Sequence, residues 1–587
     1  MSTTEGYKKA NYSNGYEFTQ GSGYTLPEYP FVKPPDIGSA KRIRYPIVIV
    51  GGGITGLTLA CSLAQLGIDA VLLDEDITVG VKGASSRGIC YTQKSLEIFH
   101  KLGIYGQIAA KGVQWSVGRT FAGEDEVYSF DLRAQSNFNL SVQPPFINIQ
   151  QFYIEGYLVE RIHQLGHVDI RWSSRAIAFS QDEAGALITV TTPAGDYVVA
   201  ADRVIDATGG HSAFHQWVGA TVKSQKGDDR WCIADVRFAT HPPVERHTWI
   251  EAPFNENRAV WQHLMADDVW RIDYQMAPNA DPQYVSREDV VRERLQRQFG
   301  SDVAVEIVWV GPYAYRSQCV DQLRIGRVFF LGDAVKTVSP FGARGGNTGI
   351  ADADNLACKL AAVQKGFVTP KLLESYHHER FEAATQNVQV TNRTARFLRA
   401  PDGPERVFRN AAISLAKQYP FARALINTGR MAVANRYTQS PVCQPPGGQS
   451  VQNAAVWFDL KGRHQATLND LIRWCEGRFL LLVFGRIPAM DLPRLRELTQ
   501  RLPVRVVQVL APNPPANPQA SPQARPNVVA REHVYDLTGQ LRLATHAQSQ
   551  QWVIVRPDAY LAGGGKSGPH WRSEVTALLL TATGAGP

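Results

Sequence analysis

Cysteine is scarce in this chain and is not arranged in pairs. The 587 residues include 7 cysteines, and no two of them form a Cys-x-x-Cys motif. An odd number of widely separated cysteines indicates neither a disulfide framework nor a zinc site. We therefore expect no metal centre and a reducing, cytoplasmic location.

The chain also lacks the segments that membranes and nucleic acids require. The N-terminus, MSTTEGYKKANYSNGY, is polar and has no apolar core of a signal peptide. The longest apolar region, residues 45–74, is interrupted by glycines, Gln65 and Asp69, so it is too broken to form a membrane helix. Basic residues are not clustered with aromatic ones, and the net charge of +7 is modest for this length. We expect no membrane span and no nucleic-acid partner.

The segment YPIVIVGGGITGLTLACSLAQLGIDAVLLD has the pattern of a strand, a glycine turn, a helix and a second strand. Gly51, Gly53 and Gly56 follow the G-x-G-x-x-G spacing. In this motif the glycines permit a tight turn, let a pyrophosphate approach the backbone and let the helix pack closely on the strand. The helix, predicted from about Ile54 to Leu66, directs its free N–H groups at the phosphates.

The second predicted strand, Ala70 to Leu73, is followed by Asp74 and Glu75. A carboxylate about 20 residues after the glycines can accept hydrogen bonds from an adenosine ribose, and it disfavours a 2′-phosphate. The site therefore suits FAD or NAD better than NADP.

Two further segments have weaker signals. Arg87 lies in a predicted loop beside the dinucleotide site, where its planar fork could bind phosphate or flavin oxygens, although a surface arginine fits the sequence equally well. In RVIDATGGHSAFHQWVG a strand at Val204 to Ala207 is predicted to end at Thr208 and Gly209, where backbone could approach a cofactor.

A second segment shows the same order of features as the first motif. It spans residues 326–366, with the sequence GRVFFLGDAVKTVSPFGARGGNTGIADADNLACKLAAVQKG. A strand ends at Asp333, a turn passes through Pro340, and Gly345 and Gly346 precede Asn347, which we expect to cap a long helix. A carboxylate at a strand end followed by a helix N-terminus suits hydroxyl and anionic groups. Two such binding elements in one chain indicate a long ligand with two polar ends.

These motifs, in this order, resemble those of the class A flavoprotein aromatic hydroxylases, in particular the phenol hydroxylase and 3-(3-hydroxyphenyl)propionate hydroxylase group. GGGITG resembles the family's FAD fingerprint, GRVFFLGDA its ribityl-binding Gly-Asp motif, and PFGARGGNTGIADADNLACKL its flavin-side helix. The similarity runs from about Tyr45 to Arg380.

The resemblance implies FAD as the bound cofactor. It assigns Asp74 to the adenosine ribose, Arg87 and Gln151 to the interior of the FAD site, and Asp333 to the ribityl chain. The complete set of expected FAD contacts is Gly51, Gly53, Gly56, Asp74, Glu75, Arg87, Gln151, Thr208, Gly209, Asp333, Pro340, Gly345, Gly346 and Asn347.

The sequence departs from the family pattern at two positions. Thr208-Gly209 stands where the family has Asp-Gly, and the run from Gly332 to Lys336 reads GDAVK where the family has GDAAH. The first change places the usual FAD and nicotinamide contacts of that motif in question. The second alters the charge expected near the flavin.

The implied reaction is a monooxygenation. NADH or NADPH reduces the FAD, O₂ adds to give a C4a-hydroperoxide, and a phenolic ring attacks the distal oxygen. No second dinucleotide-binding strand–turn–helix unit is predicted, so the nicotinamide is expected to dock transiently. Tyr313, Tyr315 and Arg316 are the candidate catalytic residues: alternation in a strand directs 313 and 315 to one face, where two phenols could flank the substrate hydroxyl. A core tyrosine is the alternative for Tyr313.

The predicted fold is α/β, with a Rossmann-like FAD-binding domain interleaved with a mixed-sheet substrate domain and followed by a C-terminal thioredoxin-like domain without Cys-x-x-Cys. That last domain is expected to act in structure or dimerisation, and a homodimer is expected. The predicted boundaries are 1–44 for an extended arm, 45–118, 150–225 and 321–400 for the FAD-binding domain, 119–149 and 226–320 for the substrate domain, 401–439 for a helical segment, 440–450 for a linker and 451–587 for the last domain.

Three other functions are compatible with parts of this pattern. A flavin oxidase or dehydrogenase would reduce FAD without inserting oxygen. A flavin halogenase is disfavoured because the sequence has no W-x-W-x-I-P stretch. An interaction protein that keeps the fold would purify without flavin.

Overall fold

The structure is a computed structural model, and it describes residues 7–10, 23–39, 42–80, 88–399, 403–427, 431–485, 487, 489–511, 533–566 and 568–584. Arg87 and the proline-rich run at 512–526, which we predicted to be a loop, lie outside these ranges. No helix within them combines the length and the apolar character needed to cross a bilayer.

The first sheet has eight strands and contains the predicted strand–turn–helix unit. Arg44–Val50 ends in four buried residues, as expected of a parallel strand covered on both sides. The strands of this sheet are Val168–Arg171, Ala70–Leu73, Arg44–Val50, Tyr197–Asp206, Ala186–Thr191, Arg175–Gln181, Val328–Phe330 and Arg324–Ile325.

The sequence from Val168 to Val199 predicts a β-meander, and only part of the region forms one. Val168–Arg171 pairs in parallel with Ala70–Leu73, and the antiparallel pairing begins with Arg175–Gln181. The residues before Val168 form a helix that returns the chain to the outer edge, which favours a parallel connection.

The second sheet also has eight strands and covers the first. The sequence between about 226 and 320 predicts five strands and one helix at about Ser286 to Phe299; the structure has the five strands and that helix, and it adds the short helix Pro282–Val285. In spatial order its strands are Lys336–Thr337, Val305–Val320, Val222–Phe238, Val269–Gln275, Arg258–Leu264, Arg246–Ala252, Val117–Ala122 and Asp125–Asp131. Val291 and Leu295 of the helix Glu288–Phe299 pack on its outer face, and the opposite, inner face is turned toward the first sheet.

Two small sheets complete the N-terminal two thirds. Tyr7–Ala10 pairs with Tyr24–Pro27. Cys90–Thr92, Phe146–Asn148 and Val113–Gln114 form a three-stranded sheet beside the first one.

The third sheet belongs to the C-terminal unit and has seven strands. The apolar runs FLLLVFG and VRVVQVL predict two strands here, and in the structure Phe479–Phe484 and Val504–Leu510 are parallel neighbours. Trp552–Val555 and Leu561–Gly565 form an antiparallel hairpin at the end of the sheet. The closing helix, Trp571–Ala582, was not predicted. The seven strands in order are Gln465–Thr467, Ala455–Trp457, His533–Tyr535, Val504–Leu510, Phe479–Phe484, Trp552–Val555 and Leu561–Gly565.

Helices connect and cover these sheets. Asn347 does not cap the long helix as we predicted: the helix begins at Gly345, with Arg344 in the cap position. The other α-helices are Ile54–Gln65, Gln93–Leu102, Tyr105–Lys111, Gln151–Leu165, Phe214–Trp217, Pro282–Val285, Glu374–Leu398, Pro404–Gln418, Leu468–Trp474, Leu492–Arg501 and Gln540–Ala544.

A buried ionic network joins the C-terminal unit to the rest of the chain. The carboxylate of Glu379 accepts hydrogen bonds from Arg556 at 2.9 Å and from Lys359 at 2.6 Å. Asn355 donates to Glu379 and, at 3.0 Å, to Asp558. All of these side chains are nearly inaccessible to solvent, so the two parts of the molecule are fixed against each other.

Candidate active site

Four strands of the first sheet end in register at one edge. Val50 is paired with Leu73 and Asp206, and Asp206 is paired with Phe330. The residues that follow these strands include Gly51, Asp74, Thr208 and Asp333, which are all predicted site residues. Ligands of parallel α/β sheets bind at this carboxyl edge, so the fold places both halves of the predicted site in one crevice.

The glycines of the first turn are required by close packing. Gly51 has φ of +109°, and a Cβ at this position would lie 2.5 Å from the carbonyl oxygen of Ala207. A Cβ at Gly56 would collide with the carbonyl oxygen of Gly51. The turn therefore has the tight geometry that the motif predicts.

The start of the helix Ile54–Gln65 is open to a ligand. A Cβ at Gly53 would meet no atom of the described residues within 4 Å. Gly53 caps the helix without a side chain, and the first turn has no acidic residue. The free N–H groups of this turn suit an anionic group such as a pyrophosphate.

Asp74 is held in place beside this turn. Its carboxylate accepts hydrogen bonds from the backbone N–H groups of Gly52 and Asp76. Burial raises the pKa of Asp74 to about 6, although these two N–H groups act to lower it. At neutral pH the carboxylate is ionised and can accept a hydrogen bond from a ribose hydroxyl. Glu75 points outward instead, and its carboxylate lies 3.4 Å from Arg175.

Thr55 connects the two glycine motifs. Its hydroxyl oxygen would lie 2.7 Å from a Cβ at Gly332 and 2.6 Å from one at Gly349. Gly332 has φ of +62°, and Asp333 follows it in a single helical turn. The start of the first helix therefore packs directly on the Gly-Asp turn and on the long helix.

The Thr208 turn is organised by Asp206, which the sequence analysis did not select. This fully buried carboxylate accepts hydrogen bonds from the backbone N–H of Thr208 at 3.0 Å, from its hydroxyl at 2.7 Å and from Ser212 at 2.5 Å. The carbonyl of Gly210 accepts a hydrogen bond from Gln318 of the second sheet at 2.6 Å. A carboxylate at the strand end thus supports the turn although Thr208 itself is not acidic.

The segment expected to face the flavin is fixed by Asn347. Its amide donates to the carbonyls of Cys90 and Ala343, and its oxygen accepts from the N–H of Thr92 and from Ser95. These hydrogen bonds occupy both polar atoms of the Asn347 side chain. A ligand can therefore contact only the backbone of the first turn, which includes Gly345 and Gly346. We refer to residues 340–347, which begin at the predicted contact Pro340, as the flavin-side loop.

Glu155 lies behind the first turn. It is almost inaccessible, and its Oε1 accepts a hydrogen bond from Gln151 at 2.7 Å. Burial raises the pKa of the carboxyl to about 7, although hydrogen bonds from Gln151 and from the backbone N–H groups of Ile54 and Gly80 act to lower it. Gln151 also lies close to Gly88, at the edge of the segment that contains Arg87. The glycine turns, the uncapped helix and these acceptors fit FAD.

The second departure from the family pattern, Lys336, is buried in an ionic cluster. Its ammonium lies 3.4 Å from Asp352, which also pairs with Arg380 at 2.5 Å. Arg380 donates to the hydroxyl of Tyr437 at 3.0 Å. The lysine is therefore paired with a carboxylate inside the fold, and it shares that carboxylate with Arg380.

The inner face of the second sheet closes the crevice with aromatic side chains. Trp231 stacks on Trp261, with ring centroids 4.5 Å apart, and Trp261 makes an edge contact with Phe341 of the flavin-side loop at 4.9 Å. Tyr313 is paired with Trp231 and is partly buried on this face. The side chains of Tyr315 and Arg316, our other catalytic candidates, lie outside the described part of the structure.

A family profile described as an FAD binding domain matches residues 44–391. The chain belongs to this family. It is a class A flavoprotein aromatic hydroxylase, an oxidoreductase that binds FAD. A second profile, described as an HcaD C-terminal domain, matches residues 454–576.

Curated relatives match this flavoprotein over most of their length. A 3-(3-hydroxy-phenyl)propionate/3-hydroxycinnamic acid hydroxylase of Mycolicibacterium smegmatis is 23% identical over 522 residues, which cover 88% of this chain and 90% of the relative. A flavin-dependent monooxygenase of Mycobacteroides abscessus is 29% identical over 349 residues, which cover 58% of this chain and 71% of the relative.

Solved structures confirm the fold of the flavoprotein. The flavin-dependent monooxygenase PieE, solved with FAD and substrate, has a TM-score of 0.74 and 22% identity, and the alignment covers 93% of this chain and 100% of PieE. Aklavinone-11 hydroxylase, solved with FAD and aklavinone, has a TM-score of 0.69 and 17% identity, and the alignment covers 93% of this chain and all of that one.

Several polar residues of the inner face were not selected from the sequence. They are Arg246, His263, Arg271 and Asp273, and each is buried in a strand that alternates polar and apolar residues. The available signal was their alternation, because polar residues at every second position of a buried strand share one face.

Proposed function

We propose that this chain hydroxylates a phenolic ring, with NADH or NADPH as the reductant and O₂ as the oxidant. The observation that carries the proposal is the alignment of the strand ends that precede Asp74 and Asp333, together with the contact between Trp261 of the second sheet and Phe341 of the flavin-side loop. The named activity of the mycobacterial hydroxylase also supports a phenolic substrate.

The residues of this chain would bind and orient the FAD and the ring. Gly51, Gly53 and Gly56 would hold the pyrophosphate, Asp74 the adenosine ribose, and Asp333 the ribityl chain. The bound flavin supplies the reduction and oxygen activation. Trp231 and Trp261, both nearly inaccessible, would exclude water from the reacting ring.

Tyr313 and Tyr315, with Arg316 beside them, are proposed to contact the substrate hydroxyl. Tyr313 is on the inner face and next to Trp231, which supports this placement. Replacing Tyr313 and Tyr315 by Phe, singly and together, tests it. Unchanged hydroxylation and an unchanged pH profile in both single variants would rule these residues out.

The C-terminal unit is proposed to be thioredoxin-like and to have a structural role. Parallel pairing of its central strands and antiparallel pairing of Trp552–Val555 support the fold, and the Glu379–Arg556 contact supports the role. With Cys475 fully buried and no Cys-x-x-Cys in the sequence, thiol exchange is not expected.

We also propose a homodimer and a cytoplasmic location. Large apolar side chains are exposed along residues 404–425, among them Val407, Phe408 and Phe421, and such a patch favours association. Sedimentation of the protein and of a Phe408→Glu, Phe421→Glu variant tests the dimer: a monomeric wild type would contradict it. The free thiols suit a reducing compartment, which cell fractionation can test.

The purified protein provides the test of the activity. We expect a bound flavin spectrum and oxidation of NADH or NADPH that phenols stimulate, with hydroxylated product. Flavin reduction without an oxygenated product would indicate an oxidase or dehydrogenase. Purification without flavin, and failure to bind added FAD, would indicate a protein that has lost the reaction.

A further inference from the structure

A row of charged side chains crosses the inner face of the second sheet. Register places Asp235 beside Arg271, and Arg271 beside His263 on the next strand. Arg246 is one residue before His247, which pairs with Gln262, so it continues the row at the following strand. Asp273 points to the same face as Arg271, two residues along the strand.

One end of this row is satisfied within the fold. Arg271 donates two hydrogen bonds to Asp235, at 2.8 and 2.9 Å, and Tyr24 donates a third to the same carboxylate at 2.8 Å. This is a paired and fully hydrogen-bonded ion pair, as buried charges require.

The other end is not satisfied by the described residues. Nε of Arg246, Nδ1 of His263 and Oδ1 of Asp273 are buried and have no hydrogen-bond partner among them. Each of the three residues is only 7–8% exposed. The other contact of Arg246 is its Nη1 on the sulfur of Met431 at 2.9 Å, and a thioether is a weak acceptor. Three unpaired polar atoms in one buried place point to a polar ligand group.

These three residues lie beside the flavin-side loop. Met431, which contacts Arg246, packs against the same hydrophobic cluster as Ala343 of that loop, and the N–H of the next residue, Ala432, donates to the carbonyl of Gly342. Trp261, the strand partner of Asp273, contacts Phe341. A ring held against these tryptophans would therefore bring a polar substituent to the cluster.

We propose that Asp273, His263 and Arg246 bind the phenolic hydroxyl of the substrate, with Asp273 accepting its proton and Arg246 stabilising the phenolate. This assignment is an alternative to the placement of the same hydroxyl at Tyr313 and Tyr315, because Tyr313 lies two strands from Asp273 and four strands from Arg246 in the second sheet. Loss of probe ionisation in Asp273→Asn, with unchanged Tyr313→Phe and Tyr315→Phe variants, would decide for the cluster. The inference rests on the proposed hydroxylation of a phenol. A hydroxyl is both donor and acceptor, so it can donate to Oδ1 of Asp273 while it accepts from Nε of Arg246. A ligand carboxylate would meet the carboxylate of Asp273 and fits less well.

The proton transfer is balanced within the cluster. The phenol O–H bond breaks, the proton passes to Asp273, and the electron pair stays on the phenolate oxygen beside the guanidinium. Burial raises the pKa of Asp273 to about 7. The guanidinium groups of Arg271 and Arg246 act to lower this pKa, and the carboxylate of Asp235 acts to raise it. Burial, together with Arg246 and Arg271, holds the pKa of His263 well below its usual range, so its imidazole is neutral. A carboxylate of this basicity accepts a phenolic proton better than an ordinary aspartate does.

The test uses the FAD-loaded full-length protein and 4-nitrophenol, whose phenolate is coloured while the neutral form is not. Difference spectra against pH report how the bound probe ionises in the wild type, Asp273→Asn and Arg246→Met. Glu251→Gln is the matched control, because this carboxylate lies on the same strand as Arg246 and pairs with Arg409 at 3.0 Å. Flavin content and thermal unfolding identify any variant that is misfolded.

We expect the wild type and Glu251→Gln to bind the probe as phenolate at a pH where the free probe is mainly neutral. Asp273→Asn should bind it in the neutral form and lose at least about 100-fold in kcat/KM with phenolic substrates. Arg246→Met should weaken binding of the phenolate about tenfold or more. Ionisation and affinity equal to those of the wild type in both variants would overturn the proposal.

The failure of the proposed function has a different signature. If the wild type ionises the bound probe and Asp273→Asn does not, the cluster is confirmed even if no oxygenated product forms. If the wild type oxygenates another class of aromatic compound and binds no phenol, the assignment of the cluster to a phenolic hydroxyl is wrong.

Discussion

The hydroxyl of Thr55 occupies the space that a side chain at Gly332 would need. Its oxygen would lie 2.7 Å from a Cβ at Gly332, and the backbone there has φ of +62°. Thr55 belongs to the turn predicted to hold the pyrophosphate, while Gly332 precedes Asp333, which is predicted to hold the ribityl chain. The two ends of the proposed FAD site are therefore in van der Waals contact within the fold.

Replacing Gly332 by alanine should separate these ends. The added methyl would both collide with Thr55 and strain a left-handed backbone, so we expect loss of most bound flavin. Gly156→Ala is the control, since a Cβ there meets nothing within 4 Å in the described structure and lies in the helix Gln151–Leu165. Absorbance of the purified proteins measures the result. A Gly332→Ala protein with full flavin content would contradict the proposed path of the cofactor.

Asp74→Ala tests the adenosine end. The substitution removes the acceptor proposed for the ribose and also the partner of the Gly52 and Asp76 N–H groups. Hydrogen bonds to a charged group contribute about 1.5–3 kcal/mol, so FAD should bind roughly tenfold to 100-fold more weakly. Titration of the apoprotein with FAD measures this, and Asp69→Ala, which removes an exposed contact with His167 at 2.8 Å, should change the affinity little.

The rate should depend on the ionisation of Asp273. Burial raises its pKa to about 7, and the charged groups that face it are Arg271, Asp235 and Arg246. Because the carboxylate accepts the proton only when ionised, kcat/KM for a phenol should rise with pH through about 7 and then level off. The Asp273→Asn variant should not show this rise of kcat/KM with pH. A pH profile of the variant that is parallel to that of the wild type would exclude Asp273 as the proton acceptor.

Removing Arg556 should weaken the attachment of the C-terminal unit. Breaking one partner of a buried ion pair costs about 3–5 kcal/mol, so Arg556→Met should unfold at markedly lower denaturant concentration. The exposed pair of Arg501 with Glu497, at 3.3 Å, provides the control: Arg501→Met should cost less than about 1 kcal/mol. Equal midpoints for the two variants would show that the network adds no stability.

The same network predicts a pH dependence of stability. Burial acts to raise the pKa of Glu379, but Arg556 and Lys359 hold it well below its usual range. A depressed pKa stabilises the fold above the unfolded value of about 4.3, and that stability is lost as the pH falls toward the folded value. Unfolding midpoints of the wild type should therefore fall more steeply in acid than those of Arg556→Met.

The local elements of the site could be predicted from the sequence, because each depends on residues close together in the chain. The strand Ala70–Leu73 and the helix beginning at Ile54 agree with the glycine and apolar patterns. The sequence predicts the right segment for Asn347 but the wrong role. Its side chain is hydrogen-bonded to Cys90, Thr92 and Ser95, which are far away in the chain and do not enter the local pattern that predicts a cap.

The substrate side could not be predicted in this way. Arg246, His263 and Asp273 come from three strands, and each residue alone looks like a solvated position of an alternating strand. Only the order of the strands in the second sheet brings them together, and only the covering loop makes them buried. Strand order is a long-range property that periodicity does not contain.

Incorporation of isotopically labelled O₂ tests the central claim most directly. The FAD-loaded protein, supplied with NADH or NADPH and a phenol from a substrate panel, should transfer one labelled oxygen atom to the ring, as detected by mass spectrometry of the product. Oxidation of the nicotinamide across the panel with only hydrogen peroxide formed, and no label in any aromatic product, would contradict the assignment as a phenol hydroxylase.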